Sequence, residues 1–417
     1  MTTATAGLPS VFDADLPTLE YHDLPDPAEA HTHLAAARTQ SPIGVGPYGP
    51  EILRYAEVHT VLRDPRFINP PGLGLETQGI TSGPLWDRAT ASILAIDGPA
   101  HNRLRRMVAK AFSPRAITRL QTLIAETATG LVDAFAAAGS GDIVTDISRP
   151  YPIPIICGLL GARPQDWPLF SAWADAIMKI FDWDVAHDGP VIEQAWVELD
   201  AYLDTLVAQR RTTLTDDLIS ELIRAEDDGD RLSHGELLML AGSLLAAGTD
   251  TTRNQLASAI QCLIDHPDQW DLLATNPDLA GQAVEELMRY SPVVFGAMRC
   301  ATDDVEIAGV TIPAGTLVIA NTAAANRDPA VFENPDRLDI TRDHPSPMLT
   351  FGGGTHYCLG AHLARLELTE ALRAITSRCP RLHRTGPAPW KKLTGVTGPK
   401  TLPVTTQQQQ TTQDWKD

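Results

Sequence analysis

The sequence predicts a mainly α-helical protein with small β-sheets, folded as one large domain across its 417 residues. Apolar residues recur at three- and four-residue spacing over 101–112, 115–138, 191–211 and 214–226, the signature of helices with one buried face. Strand-like runs are few and short. No internal repeat and no long Gly/Ser-rich or Pro-rich linker divides the chain, so one domain is expected over 1–417, with residues 1–20 and 406–417 as flexible tails.

The longest element is predicted from a capping box, Ser233 followed by Glu236, after which the helical pattern runs to Ile264, ahead of His266-Pro267. Some 32 residues at a rise of ~1.5 Å make a rod of roughly 48 Å. Its middle, from Leu237 to Gly248, is apolar on every side and belongs inside the core. At its centre stand Gly248, Thr249, Asp250, Thr251 and Thr252. A carboxylate there is costly unless paired or used, and Gly beside threonines is a place for a helix to bend. Residues 305–320 read as a hairpin, alternating β-branched residues through a Gly turn, with Pro313 and Gly315 before the second apolar run. Residues 402–406 read as a last strand, and 360–376 as a helix.

Composition excludes more than it assigns. The net charge of −19 argues against nucleic acid or an anionic membrane as a partner of the whole surface. No run of about 18 apolar residues suggests a membrane span, and the first residues have neither a basic nor an apolar signal region. Five cysteines, odd in number and without a CxxC pair, fit a reducing compartment, so a cytoplasmic location is expected.

The most informative stretch is Phe351-Gly352-Gly353-Gly354-Thr355-His356-Tyr357-Cys358-Leu359-Gly360. Glycines around a cysteine let backbone approach something flat or bulky, and the following helix aims its N-terminal N–H groups at the thiolate. A lone cysteine in a Gly-rich turn is ordinarily an inert core residue. The whole ten-residue string, however, resembles the haem-binding loop of the cytochrome P450 family, in its soluble bacterial form. That resemblance implies the family fold, with the long buried helix over a haem b, and makes Cys358 the axial thiolate ligand of its iron. Phe351 and Gly360 then belong to the cofactor loop, and His356 faces a propionate.

Three further segments follow in the family's order. Ala247-Gly248-Thr249-Asp250-Thr251-Thr252 resembles the centre of the oxygen-binding helix, which implies proton delivery by Asp250 and Thr251, with Ala247 against the haem. Glu286-Leu287-Met288-Arg289 is worth little as an isolated ion pair. Followed by Tyr290-Ser291-Pro292 and Arg299, it resembles the family's buried structural pair, Glu286 with Arg289, and Arg299 is then a propionate partner. Asp97-Gly98-Pro99-Ala100-His101 with Leu104-Arg105 implies His101 and Arg105 in that role too. Asn326-Arg327-Asp328-Pro329 and Phe332–Arg337 also fit, so the likeness covers roughly residues 50 to 400.

The resemblance implies a monooxygenase that inserts one oxygen atom of O2 into a C–H bond, with electrons from NAD(P)H through a ferredoxin and its reductase. Peroxygenase, dehydratase, reductase and oxidative-coupling chemistries on the same fold are the alternatives, and a haem sensor is the non-enzymatic one. The other chemistries often go with loss of the acid–alcohol pair, which this chain keeps, and a sensor would need neither that pair nor a docking patch. Arg103, Arg105, Arg106, Lys110 and Arg115 fall within thirteen residues of an acidic chain. Arg103, Arg106, Lys110 and Arg115 are the expected docking patch for the ferredoxin, where charge speeds encounter more than it tightens it.

By resemblance the substrate pocket draws on residues 70–95 and 165–190, on Ser243, Ala246 and Ala247, on Val294, Phe295 and Gly296, and on the turn at Val396 and Thr397. The expected wall is small and apolar, with Phe295 as its one large ring and no Lys or Arg to pair a carboxylate. A neutral hydrophobic substrate and a monomeric enzyme are the resulting expectations.

Overall fold

The computed structural model describes residues 8–227, 232–343 and 346–406. The helical periods form helices, with shifted ends: Gly98–Ala109, Gln121–Ala138, Val185–Thr212 and Leu218–Asp227. The period read over 115–138 is interrupted at Arg119 and Leu120, so a short helix, Pro114–Thr118, precedes the long one.

The central helix runs His234–Asp265. Ser233 Oγ accepts from the Glu236 N–H at 3.2 Å, and the Glu236 carboxylate accepts from the Ser233 N–H at 2.8 Å. The cap and the apolar run together set where this helix starts and why it is buried. Leu240 and Leu245 are fully buried, each side chain contributing about 1.5–3 kcal/mol by leaving water. The helix continues unbroken through Gly248–Thr252. The hydroxyls of Thr249 and Thr251 donate to the carbonyls of Leu245 and Ala247, each at 2.7 Å. They fold back on the helix surface instead of breaking its ladder.

Around this rod pack the helices Pro152–Leu160, Trp167–Met178 and Ala361–Arg378. To one side lies a five-stranded sheet in the order Ile43–Gly46, Gly49–Ile52, Leu317–Ala320, Ala297–Ala301 and Phe67–Ile68. The hairpin expected over 305–320 splits in two. Val305–Ile307 pairs with Val310–Ile312 around Ala308 and Gly309, both at positive φ. Pro313 and Gly315 then release the chain, and Leu317–Ala320 joins the five-stranded sheet, antiparallel to Ala297–Ala301 and parallel to Gly49–Ile52. The expected last strand is Pro403–Thr405, paired with Ser140–Asp142 and His383–Arg384. Both sheets thus join early and late parts of the chain.

Part of the expected tails is anchored. Val11 is fully buried and its N–H donates to the Thr311 carbonyl, while Thr406 donates to the Gly139 carbonyl. Residues 1–7 and 407–417 lie outside the described residues.

Glu286 and Arg289 are both fully buried on the helix Ala280–Tyr290. Arg289 donates Nε to Glu286 Oε2 at 2.7 Å and Nη2 to Oε1 at 2.9 Å. Its Nη1 reaches the carbonyls of Asn326 and Pro335, at 2.9 and 2.8 Å, and Arg342 Nε adds bonds to the same carboxylate. A buried pair persists only when its remaining donors and acceptors are met, and here they are met by the loop over 326–342, which the pair ties down.

Candidate active site

A cavity of about 530 Å³ lies between the central helix, the five-stranded sheet and the 351–360 loop. The loop takes its shape from its glycines. Gly354 has φ +65°, and a Cβ there would stand 2.4 Å from the Leu62 carbonyl oxygen. The Cys358 N–H donates to the Phe351 carbonyl at 2.9 Å, which folds the loop under the cavity. The Phe351 ring carries the Arg365 guanidinium, 4.5 Å from its centroid. Gly360 lines the cavity, and a Cβ there would meet no protein atom within 4 Å.

Cys358 is on the cavity wall. Burial pushes its thiol up, against the pull of the Gly360 N–H and of Arg105 and Arg365. The N–H groups at the start of the following helix thus work against the effect of burial. A metal cation bound at this sulfur would oppose that shift, because coordination deprotonates a ligating thiol.

Beside it the structure gathers His101, Arg105, Arg299 and His356, all lining the cavity. The His101 and His356 rings stand 4.3 Å apart, and His101 Nδ1 is buried without a hydrogen-bond partner. Burial and then the charge of His356 lower the His101 pKa. Arg299 is 5% exposed and donates to the Met298 carbonyl at 2.8 Å. Burial draws its guanidinium down to about 10, with Asp97 the opposing charge. Arg105 donates to the Tyr357 carbonyl, and burial lowers its pKa too. His356 Nε2 lies 2.8 Å from Asp97 Oδ1. Burial works to raise Asp97, but His356 and the Asn69 N–H hold it below the usual carboxylate range. Two guanidiniums short of counter-charge beside an orphaned imidazole nitrogen suit a cofactor bearing carboxylates, next to a sulfur suited to a metal. The residues therefore fit haem.

The acid–alcohol pair is divided between two environments. Thr251 lines the cavity with Ala247 and Gly248, whereas Asp250 is outside the lining. Asp250 Oδ1 lies 3.9 Å from Arg253 Nη1 and 4.0 Å from Lys391 Nζ. The next alcohol, Thr252, stands 3.5 Å from Glu367 Oε2. Glu367 lines the cavity and is 2% exposed, and burial holds its carboxyl well above the ordinary range, only weakly opposed by Thr252. Sequence analysis passed over Glu367. Its signal was an acid set between Leu366 and Leu368 in the helix after Cys358.

Ser243, Ala246, Ala247, Val294, Phe295, Gly296 and Val396 all line the cavity. Thr397 does not, its hydroxyl turning to the Lys391 carbonyl at 3.1 Å. Two expectations are corrected. Phe295 is not the one large ring, since Tyr48, Phe181, Trp183 and Trp196 share the wall. A cation is also present: Arg88 lines the cavity, its guanidinium 3.9 Å over Trp196 and bonded through both Nη atoms to Asp200. Arg88, Phe181 and Trp183 fall within the stretches 70–95 and 165–190 expected to line the pocket, whereas Tyr48 and Trp196 come from outside every expected segment.

Of the basic run, Arg106, Lys110 and Arg115 are exposed, whereas Arg103 is half-buried and clamps Glu236 on the central helix. Arg103 is thereby removed from a freely solvated patch.

An apolar chamber under a long buried helix, with one cysteine in its wall and unneutralised arginines beside that cysteine, defines a haem-thiolate type of protein. A family model described as Cytochrome P450 matches residues 169–273 and 276–399. Luteothin monooxygenase of Streptomyces thioluteus is 37% identical over 395 residues, covering 94% of this chain and 96% of its own length. Mycinamicin IV hydroxylase/epoxidase of Micromonospora griseorubida is 39% identical over 367 residues, covering 86% and 90%. Among solved structures, P450BioI in complex with a hexadec-9Z-enoic acid ligated acyl carrier protein superposes with a TM-score of 0.84 at 33% identity, covering 91% of this chain and 98% of its own. The chain belongs to the cytochrome P450 family. It is an oxidoreductase of the monooxygenase kind, and family membership brings haem iron, an organic substrate, O2 and redox partners. Among the described residues no helix is long and apolar enough to cross a membrane.

Proposed function

We propose that the protein inserts one oxygen atom of O2 into a C–H bond of a small, largely hydrophobic molecule, with electrons passed from NAD(P)H through a ferredoxin reductase and a ferredoxin. The observation that carries this is the cavity wall itself, which sets beneath an apolar chamber Cys358 and two arginines that, among the described residues, form no ion pair with a carboxylate. Cys358 would bind the iron, and Arg105, Arg299, His101 and His356 would hold the propionates. When bound, haem supplies O2 activation and one-electron chemistry, and the protein supplies ligand, access and protons.

The protein's part follows from its own atoms. Ala246, Ala247 and Gly296 keep the wall near the haem thin, so a carbon skeleton can approach closely. Aromatic rings around the chamber exclude water and orient the substrate by shape. The Thr251 hydroxyl spends its proton on the Ala247 carbonyl and leaves its oxygen free to accept one. Asp250, buried between Arg253 and the half-exposed Lys391 and turned away from the cavity, would take up protons by way of Lys391. Together they pass a proton from solvent into the chamber. Exposed Arg106, Lys110 and Arg115 form the ferredoxin patch on the acidic surface. Five free cysteines support a cytoplasmic setting, and the interleaved sheets support action as one domain, with a monomer as the functional unit.

The test is the difference spectrum of the dithionite-reduced, carbon monoxide-treated protein, recorded for wild type and Cys358→Ala. A red-shifted Soret band present in the first and lost in the second is expected. A band unchanged by the substitution removes Cys358 from the iron.

A further inference from the structure

One acid beside the cofactor residues has no part in the chemistry above. Asp97 stands at the N-cap of the helix Gly98–Ala109, where an aspartate ordinarily accepts from the first free N–H groups of its own helix. Here Pro99 has no N–H to offer, and the carboxylate makes no capping bond. Both oxygens are turned elsewhere. Oδ1 lies 2.8 Å from His356 Nε2, and Oδ2 accepts from the Asn69 N–H at 3.0 Å. Burial works to raise the carboxyl, but these two partners hold it below its usual range, so it is ionised and only accepts. The proton in the contact with His356 is therefore carried by Nε2.

The carboxylate is anchored in its turn. Asn69, just past the strand Phe67–Ile68, also donates Nδ2 to the Leu94 carbonyl at 2.6 Å. It so closes the base of the segment 70–94 and leaves Asp97 little room to swing. The His356 ring stands 4.3 Å from that of His101, the two planes tilted by 47°. Both histidines line the cavity, whereas Asp97 does not. Asp97 therefore reaches a bound cofactor only through the imidazole. A carboxylate placed directly on a propionate would repel it, but one that holds a histidine fixes the ring that meets the propionate.

We propose that Asp97, pinned by Asn69, is the positioning residue for His356: it fixes the imidazole, and with it the grip of that histidine on a haem propionate. This rests on the haem-thiolate reading above. The same carboxylate ties the loop 351–360 to the base of the segment 70–94, so it joins the cofactor side of the site to the wall of the chamber.

The experiment follows haem transfer from the ferric holoprotein to excess apomyoglobin, with the resonance Raman bands of the propionates recorded on the same samples. In Asp97→Ser the hydroxyl can cap the helix, as serine does at this position, but is too short to hold His356. Haem then leaves about tenfold faster and the propionate bending band shifts. Asp97→Asn keeps an acceptor oxygen, speeds the loss by a smaller factor, and serves where the Ser variant does not assemble. Added to His356→Phe, neither substitution changes the rate further, because no imidazole is left to hold. The proposal is overturned if the variant that assembles keeps the wild-type rate and band, which would make Asp97 part of the helix start and nothing more. It is overturned equally by the same acceleration with and without His356. If the wild type binds no haem, the haem reading fails first and takes this role with it.

Discussion

The two sides of the cavity are built in different ways. The Cys358 side comes from two short stretches, 97–105 and 351–360, with Arg299 from one strand. It is dense in charge and hydrogen-bonding groups. The substrate side takes one or a few residues from each of several separate segments, among them Tyr48, Trp183, Ala246, Phe295 and Val396, and is largely apolar. A carboxylate-bearing metal cofactor demands particular side-chain types at fixed spacing, and that demand appears as a motif. An apolar wall demands only shape, which many residues can supply from many places.

If this contrast is sound, substitutions on the Cys358 side abolish function and those on the other side retune it. Cys358→Ala has the largest effect, complete loss of the red-shifted carbon monoxide band. Next comes Arg289→Leu, which leaves the fully buried Glu286 carboxylate without its main partner. It costs about 3–5 kcal/mol, read from denaturant unfolding of the holoprotein. Thr251→Ala and Asp250→Asn leave the carbon monoxide band intact and lower product formed per NAD(P)H consumed, with turnover down about 10²-fold. Reversing the exposed charges in Arg106→Glu with Lys110→Glu slows reduction by ferredoxin about tenfold at low salt, and added salt narrows the gap.

Glu367→Gln is the smallest change and sharpens the contrast most. Its carboxyl pKa is raised in the folded state, so between the unfolded and folded pKa values the native protein binds the extra proton. Stability is full below the unfolded value and falls as pH rises toward the folded one. The Gln variant, neutral throughout, loses that slope. Thermal unfolding between acid and neutral pH should therefore show wild type falling relative to the variant. Parallel curves would mean that Glu367 is ionised in its buried site.

Much of the cofactor side was legible because its residues are adjacent in the chain. The Gly-rich loop, the His101–Arg105 spacing and the Glu286–Arg289 pair each lie within one element. The separation of Asp250 from Thr251 was hidden, since neighbours in sequence point to different sides of a helix. The Arg103–Glu236 clamp was hidden as well, because it joins two distant helices. The 305–320 segment reads as a single hairpin until the parallel pairing of Leu317–Ala320 with Gly49–Ile52 is available, and that partner lies far back in the chain.

By itself, the sequence determined the helical class, the start of the central helix at Ser233, and the cysteine and charged residues that the structure places together in the cavity wall. These follow from local periodicity, capping and spacing, which act over a few residues. Only the tertiary structure decided which rings close the chamber, that Arg88 is neutralised by Asp200, that burial pushes the Glu367 carboxyl up, and that His22 stands against Glu51 in the cavity wall. Each of those depends on burial and on partners brought together from far along the chain, and burial is a property of the folded whole.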